Sequence, residues 1–325
     1  LQQQSLYLYT VNGFPYGTFH GQAVKEKVYQ PDWAMPDRLE YSRQLARILG
    51  VLLPEGQHGS ISTVPVGFKP DYGNPQQLNG AVDNLLRLAA FLAELEHDDG
   101  KLVQFALEPE PGCYLETTRD TVAFFQQQLF TDNAVEQLAL YLPSELKPKA
   151  GVSLLKRHLG VCLDTCHAAV MFESPLAMNN TLLEAGIPVH KIQLTAALHI
   201  RQLTTTARER LRCFADAIYL HQTSVRTDDG NRFYLDLEPA LDDVEDGVEL
   251  RSHFHVPVFA ETLGELGTTQ EDLRELLADI RRKPGCPHLE VETYTFDVLP
   301  AELKQGSVAD NISRELNWVK EQLAR

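Results

Sequence analysis

Six short apolar, β-branched or aromatic runs recur along the chain: Leu6–Val11, Ser60–Val66, Leu102–Leu107, Leu159–Leu163, Lys191–Ala196 and His288–Phe296. Long amphipathic segments separate them. Asp37 to Leu49 places Leu39, Leu45, Ile48 and Leu49 near one helical face, and Leu78 to Glu96 does the same with Leu85, Leu88, Ala89, Leu92 and Leu95. Helix starts are expected at Thr117, followed by Asp120, and at Thr268, followed by Glu271 as a capping box. A last helix is expected over Ile312–Leu323. Strand, helix, strand at this spacing means parallel βαβ units, whose strands are covered on both faces and so read as continuous apolar runs. The expected class is α/β, and no G-x-G-x-x-G turn follows any strand, which argues against a dinucleotide-binding sheet. Carboxylate, His and Pro follow the strands instead, as in a (β/α)8 TIM barrel, where chemistry sits at the C-terminal strand ends. Six units are two short of that barrel. The chain opens at Leu1 without Met, so the missing one or two βα units are expected upstream.

Leu203–Arg251 breaks the rhythm. Ala217–Val225 and Arg232–Leu237 alternate around Asp228-Asp-Gly-Asn231, the pattern of a β-hairpin. About 50 residues are too few for a core of their own. The expectation is therefore one barrel domain over 1–325, with a hairpin excursion at 203–251. His221 and Gln222 on that hairpin read as a surface pair, with a lid role as the alternative.

At 325 residues and 43% hydrophobic, the chain can bury a large core. No run approaches the roughly 18 apolar residues of a membrane span, and no charged-then-apolar leader is visible, so a soluble, cytoplasmic protein is expected. The five cysteines have no framework spacing, which favours reduced thiols. Cys162 and Cys166 read as small core residues rather than ligands. With 29 basic and 45 acidic residues, the net charge of −16 opposes nucleic-acid binding.

Four strand ends carry polar groups that are costly to bury unpaired. They are Glu108 and Glu110 in ALEPEPG, Asp164 and His167 in CLDTCH, His253 and His255 in SHFHVPVF, and Glu290 and Glu292 in HLEVETYTF. Residues i and i+2 of a strand share a face, which makes three same-side pairs. Carboxylates that converge repel unless a cation or shared protons neutralise them. Carboxylate with imidazole suits Mn, Zn, Fe or Co better than Ca. For Asp164 alone, an N-cap of the following helix is the plain alternative.

Taken together, YTVNGFPYGTFHG (9–21), SISTVPVGFKP (60–70), ALEPEPGCYLETTRDTVAFF (106–125), LGVCLDTCHAAVMFE (159–173), SHFHVPVFAE (252–261) and PHLEVETYTFDVLP (287–300) resemble the xylose-isomerase-like TIM-barrel superfamily. That superfamily includes sugar-phosphate isomerases and epimerases and the endonuclease IV type of repair enzyme. Within it the set is most similar to the EboE-type metabolite traffic branch. The resemblance implies metal-binding strand ends at Glu108, Asp164 and Glu292, and a substrate contact at His167. It also implies that Glu108 and Glu292 exchange the substrate proton, one on each face of an enediolate. Where the epimerases carry a further His ligand this chain has Gln193, and His255, or else His253, is expected to replace it. Asn12 and His20, in a tight loop after the first strand, are candidate substrate contacts, as are Glu110, Gln193 and His253.

Three functions fit these residues. A divalent-metal isomerase or epimerase acting on a sugar-like or polyhydroxylated small metabolite uses all of them. A non-catalytic metabolite-binding or traffic protein, working beside partner proteins of the same pathway, keeps the pocket without turnover. An endonuclease IV-like phosphodiesterase is suggested by DTCH and His253-x-His255, but the acidic charge opposes it.

Overall fold

The computed structural model describes residues 6–17, 25–215, 219–283, 285–292 and 306–325. His20 and residues 293–296 of the last expected strand lie outside them. The chain forms two compact units: Leu1–His20, Glu26–Leu163 and Thr181–Lys191 in the first, and Gly21–Lys25, Asp164–Asn180 and Ile192–Arg325 in the second.

The first unit is built on β1 (Thr10–Asn12), β2 (Gly59–Thr63), β3 (Val103–Leu107), β4 (Leu159–Asp164) and the start of β5 (Val189–Leu194). β1 pairs with β2, β2 with β3 and β3 with β4, all parallel and in chain order. Helices α1 (Pro36–Leu52), α2 (Pro75–Asp99), α3 (Thr118–Phe124), α4 (Asp132–Tyr141) and α5 (Val152–His158) supply the crossovers. Every residue of β2 and β4 is buried, which is why these strands read as unbroken apolar runs. Leu85, Leu88, Ala89 and Leu92 of α2 are buried as their spacing predicts. On α1, Leu39 and Leu49 are buried but Ile48 is 56% exposed, so the apolar stripe is narrower than the periodicity suggested. Thr117 caps α3 by accepting from the Asp120 amide, while Asp120 accepts from the Thr117 amide.

The loop after β1 is drawn tightly onto the sheet. A Cβ at Gly13 would lie 2.8 Å from both Ile61 and Leu45, so only glycine fits there. The fully buried Arg38 of α1 donates from Nε to Pro31 O (2.7 Å) and from Nη1 to Gly13 O and Phe14 O (both 3.0 Å). Tyr41 donates to Pro15 O at 2.8 Å. These bonds satisfy loop carbonyls that would otherwise be buried without donors.

The second unit takes in the end of β5 and α6 (Thr165–Val170), with α7 (Pro175–Glu184) crossing between the two sets of residues. It continues through β6 (Ala196–Ile200), α8 (Thr205–Arg212), β7 (Thr223–Thr227), β8 (Gly230–Tyr234), α9 (Leu237–Asp243) and β9 (Glu249–Val256). Two short strands follow, β10 (Thr262–Leu263) and β11 (Leu266–Thr268), then α10 (Gln270–Ile280), β12 (His288–Val291) and α11 (Val308–Ala324). β12 is the last strand of the parallel sheet, in the order β1-β2-β3-β4-β5-β12, and the Glu292 amide donates to Leu194 O of β5 at 3.4 Å. The six runs picked out in the sequence are thus the six strands of this α/β sheet.

The expected hairpin forms as β7 and β8, but residues 219–222 are loop rather than strand. It is also the edge of a second, antiparallel sheet, ordered β10-β11-β6-β9-β7-β8. β9, which carries the His253/His255 pair, is therefore a central antiparallel strand. The capping box expected at Thr268 is absent: α10 starts at Gln270, and the Thr268 hydroxyl donates to Ala260 O at 2.6 Å and accepts from the Gln270 amide at 3.3 Å. Among the described residues no helix is long and apolar enough to cross a membrane.

Candidate metal centre

The second unit collects six of the expected site residues: Asp164, His167, Gln193, His253, His255 and Glu292. Asp164 is the N-cap of α6, and its Oδ1 accepts from the amides of Cys166 (2.7 Å) and His167 (3.0 Å). The plain reading of this residue is thus correct for one oxygen. The other, Oδ2, is buried and has no hydrogen-bond partner among the described residues. An isolated buried carboxylate oxygen costs free energy unless a cation or donor meets it. Thr165 locks the start of α6 by donating to Gln193 O (3.0 Å) and Thr195 O (2.7 Å) while accepting from the Thr195 amide (3.0 Å).

β9 presents His253 and His255 on one face. Phe254, on the other, packs against Phe214 with ring centroids 5.6 Å apart and stacks on His221 at 3.9 Å. His221 and Gln222 are both buried, so they are not the surface pair the sequence suggested. Gln222 Oε1 stands 2.6 Å from His253 Nδ1 and accepts its proton, leaving His253 Nε2 as the nitrogen with the lone pair. That nitrogen lies 2.8 Å from His255 Nε2. One proton or one cation can satisfy such a pair. His255 Nδ1 is 3.7 Å from Glu292 Oε2, and the His167 ring sits 4.6 Å from His253 and 5.9 Å from His255.

Burial pushes the His253 imidazole well below its ordinary range, and neighbouring His167, His255 and His221 push it further. Burial likewise lowers His255, to about 4, against the opposing pull of Asp164. Both rings are neutral near pH 7, the state in which imidazole binds metal. Ligand atoms of Asp164, His167 and His255 lie within 4.8 Å of one another, as do those of Cys166, His253 and His255. An oxygen with two imidazoles suits Mn, Zn, Fe or Co, as the sequence suggested. His167, expected at the substrate, also offers an atom to this candidate group.

The first unit holds Asn12, Glu108 and Glu110. Glu108 is buried just after β3, and its amide donates to Thr63 O at 3.0 Å. Glu110 Oε1 accepts from the Tyr29 hydroxyl at 2.9 Å; burial and this carboxylate hold the phenol far above its usual pKa. Asn12 Oδ1 accepts from the Phe14 amide (3.0 Å) and the Ser62 hydroxyl (3.3 Å), so it builds the turn after β1. Gln193 is fully buried on β5. Gln222 as the orienting group of His253 went unseen in the sequence, where only its adjacency to a His marked it.

No protein-family profile matches the chain, and no curated protein does. Among solved structures, a xylose isomerase-like TIM barrel protein from Mycobacterium smegmatis, crystallised in complex with magnesium, aligns over 88% of this chain and 68% of its own, with 12% identity and a TM-score of 0.43.

Proposed function

We propose that this chain is a divalent-metal isomerase- or epimerase-like protein that acts on a sugar-like or polyhydroxylated small metabolite by carboxylate-mediated proton transfer. The observation that carries the proposal is the Asp164 Oδ2 atom, buried without a hydrogen-bond partner in a group with His167 and the neutral His255. Asp164, His167 and His255 would hold the cation, which when bound would polarise a substrate carbonyl and acidify the adjacent C–H.

The remaining chemistry belongs to the side chains. Gln222 fixes the His253 tautomer, and β9 places the His255 ring beside Glu292. Glu292 is the carboxylate assigned to take and return the substrate proton, and its Oε2 lies 3.7 Å from His255 Nδ1. The resemblance gives Glu108 the same kind of role, and its burial matches a carboxylate kept from bulk water.

The test is solvent exchange. Metal-loaded protein in D2O, incubated with ketoses and their phosphates, is expected to exchange the C–H next to the carbonyl, read by proton NMR. Glu292→Gln and Glu108→Gln should each slow exchange by roughly 100-fold or more, the size of a lost general base. Ligand binding without exchange across the whole set would overturn the catalytic reading and leave a metabolite-binding protein.

A further inference from the structure

We infer that Cys166, with His253 and His255, forms a thiolate-containing subsite for a thiophilic divalent cation of the zinc class. The inference rests on the metal-binding reading above but assigns a different donor set. Cys166 follows Asp164 on the first turn of α6 and is fully buried. Its Sγ lies 3.8 Å from Phe254 O, the carbonyl between the two histidines of β9. That contact places sulfur beside both rings, and the three ligand atoms fall within 4.8 Å of one another.

Two features suit these atoms to a cation. The Gln222 bond keeps a proton on His253 Nδ1, so the nitrogen 2.8 Å from His255 carries a lone pair. Metal-ligating imidazoles are commonly oriented by such an acceptor on their other nitrogen. The donor class then differs from the neighbouring group: sulfur with two imidazoles selects soft or borderline ions, whereas Asp164 with His167 and His255 tolerates harder ones. His255 belongs to both groups, so the two subsites are coupled. On binding, the Cys166 S–H bond breaks, its proton passes to buffer, and the freed electron pair forms the sulfur–metal bond. Nothing is oxidised or reduced.

Cobalt(II) is the probe, because its visible d–d bands report occupancy and a near-ultraviolet thiolate-to-cobalt band reports sulfur ligation. The titrated protein is expected to show both. Cys166→Ser should keep d–d intensity and lose the thiolate band. Cys162→Ser, which removes another buried thiol, should keep both bands. Should Cys166→Ser fail to fold, the Cys162→Ser and wild-type spectra still decide. Cobalt bound without a thiolate band, or a band lost with Cys162, overturns the inference but leaves the metal reading standing. Absence of cobalt binding also overturns it, and manganese binding measured by electron paramagnetic resonance then decides the broader reading separately.

Discussion

Replacing Asp164 with asparagine is expected to leave the protein folded and to abolish tight binding of a hard divalent cation. The side chain does two jobs with two atoms. Oδ1 caps α6 through the amides of Cys166 and His167, and asparagine keeps that oxygen. Oδ2, the buried atom without a hydrogen-bond partner, becomes an NH2 that can no longer ligate. Manganese affinity by equilibrium dialysis should fall by at least about 100-fold, the upper range for losing even an outer-shell partner of a metal site. Asp164→Ala loses both functions. It should also cost about 2–6 kcal/mol in denaturant unfolding, because two buried amides lose their acceptor at about 1–3 kcal/mol each. Unchanged manganese affinity in Asp164→Asn would show that Oδ2 is not a ligand and that the capping role accounts for the residue.

The second large effect is a pH dependence of stability set by a carboxylate outside the ligand groups. Glu315 on α11 is completely buried, and accepts from the Val258 amide (3.1 Å) and Asn311 Nδ2 (3.0 Å). Burial outweighs the Val258 bond and the nearby charge of Arg314, and raises its pKa from 4.5 to about 8. Because the folded value lies above the unfolded one, the stabilisation is fully present below about 4.5 and is lost as pH rises through about 8. At about 1.4 kcal/mol per unit, the loss over that window is on the order of a few kcal/mol. Glu315→Gln can still accept from Val258 and removes the ionisation. Its unfolding free energy should stay flatter from pH 5 to pH 9, and exceed that of the wild type at the alkaline end. Parallel pH profiles for the two proteins would remove Glu315 as the cause.

Much of the architecture could be read from residue order alone, for a physical reason. Parallel strands covered on both faces must be continuously apolar, so Ile61, Phe105, Val161 and Ile192 announce β2 to β5 directly. The antiparallel sheet escaped notice because its first strand has no visible start. Only Thr195 separates β5 from β6, so Lys191–Ile200 reads as one apolar stretch. The hairpin was legible through its Asp-Gly-Asn turn, yet its attachment to β9 depends on register, such as Thr223 opposite Ser252, which no local pattern encodes. At the site, Asp164 was legible as both cap and ligand, and both descriptions hold for different oxygens. His253 and His255 were legible as a same-face pair. Gln222 was not, because its role depends on the chain bringing it beside a residue 31 positions further on, through the pairing of β7 with β9.

Anomalous diffraction from crystals grown with manganese addresses the central claim most directly. A peak is expected within roughly 2.0–2.3 Å of Asp164 Oδ2, with a His255 ring nitrogen as a second ligand. Full manganese occupancy elsewhere on the chain, or none at all with Asp164 Oδ2 met only by water, would contradict it.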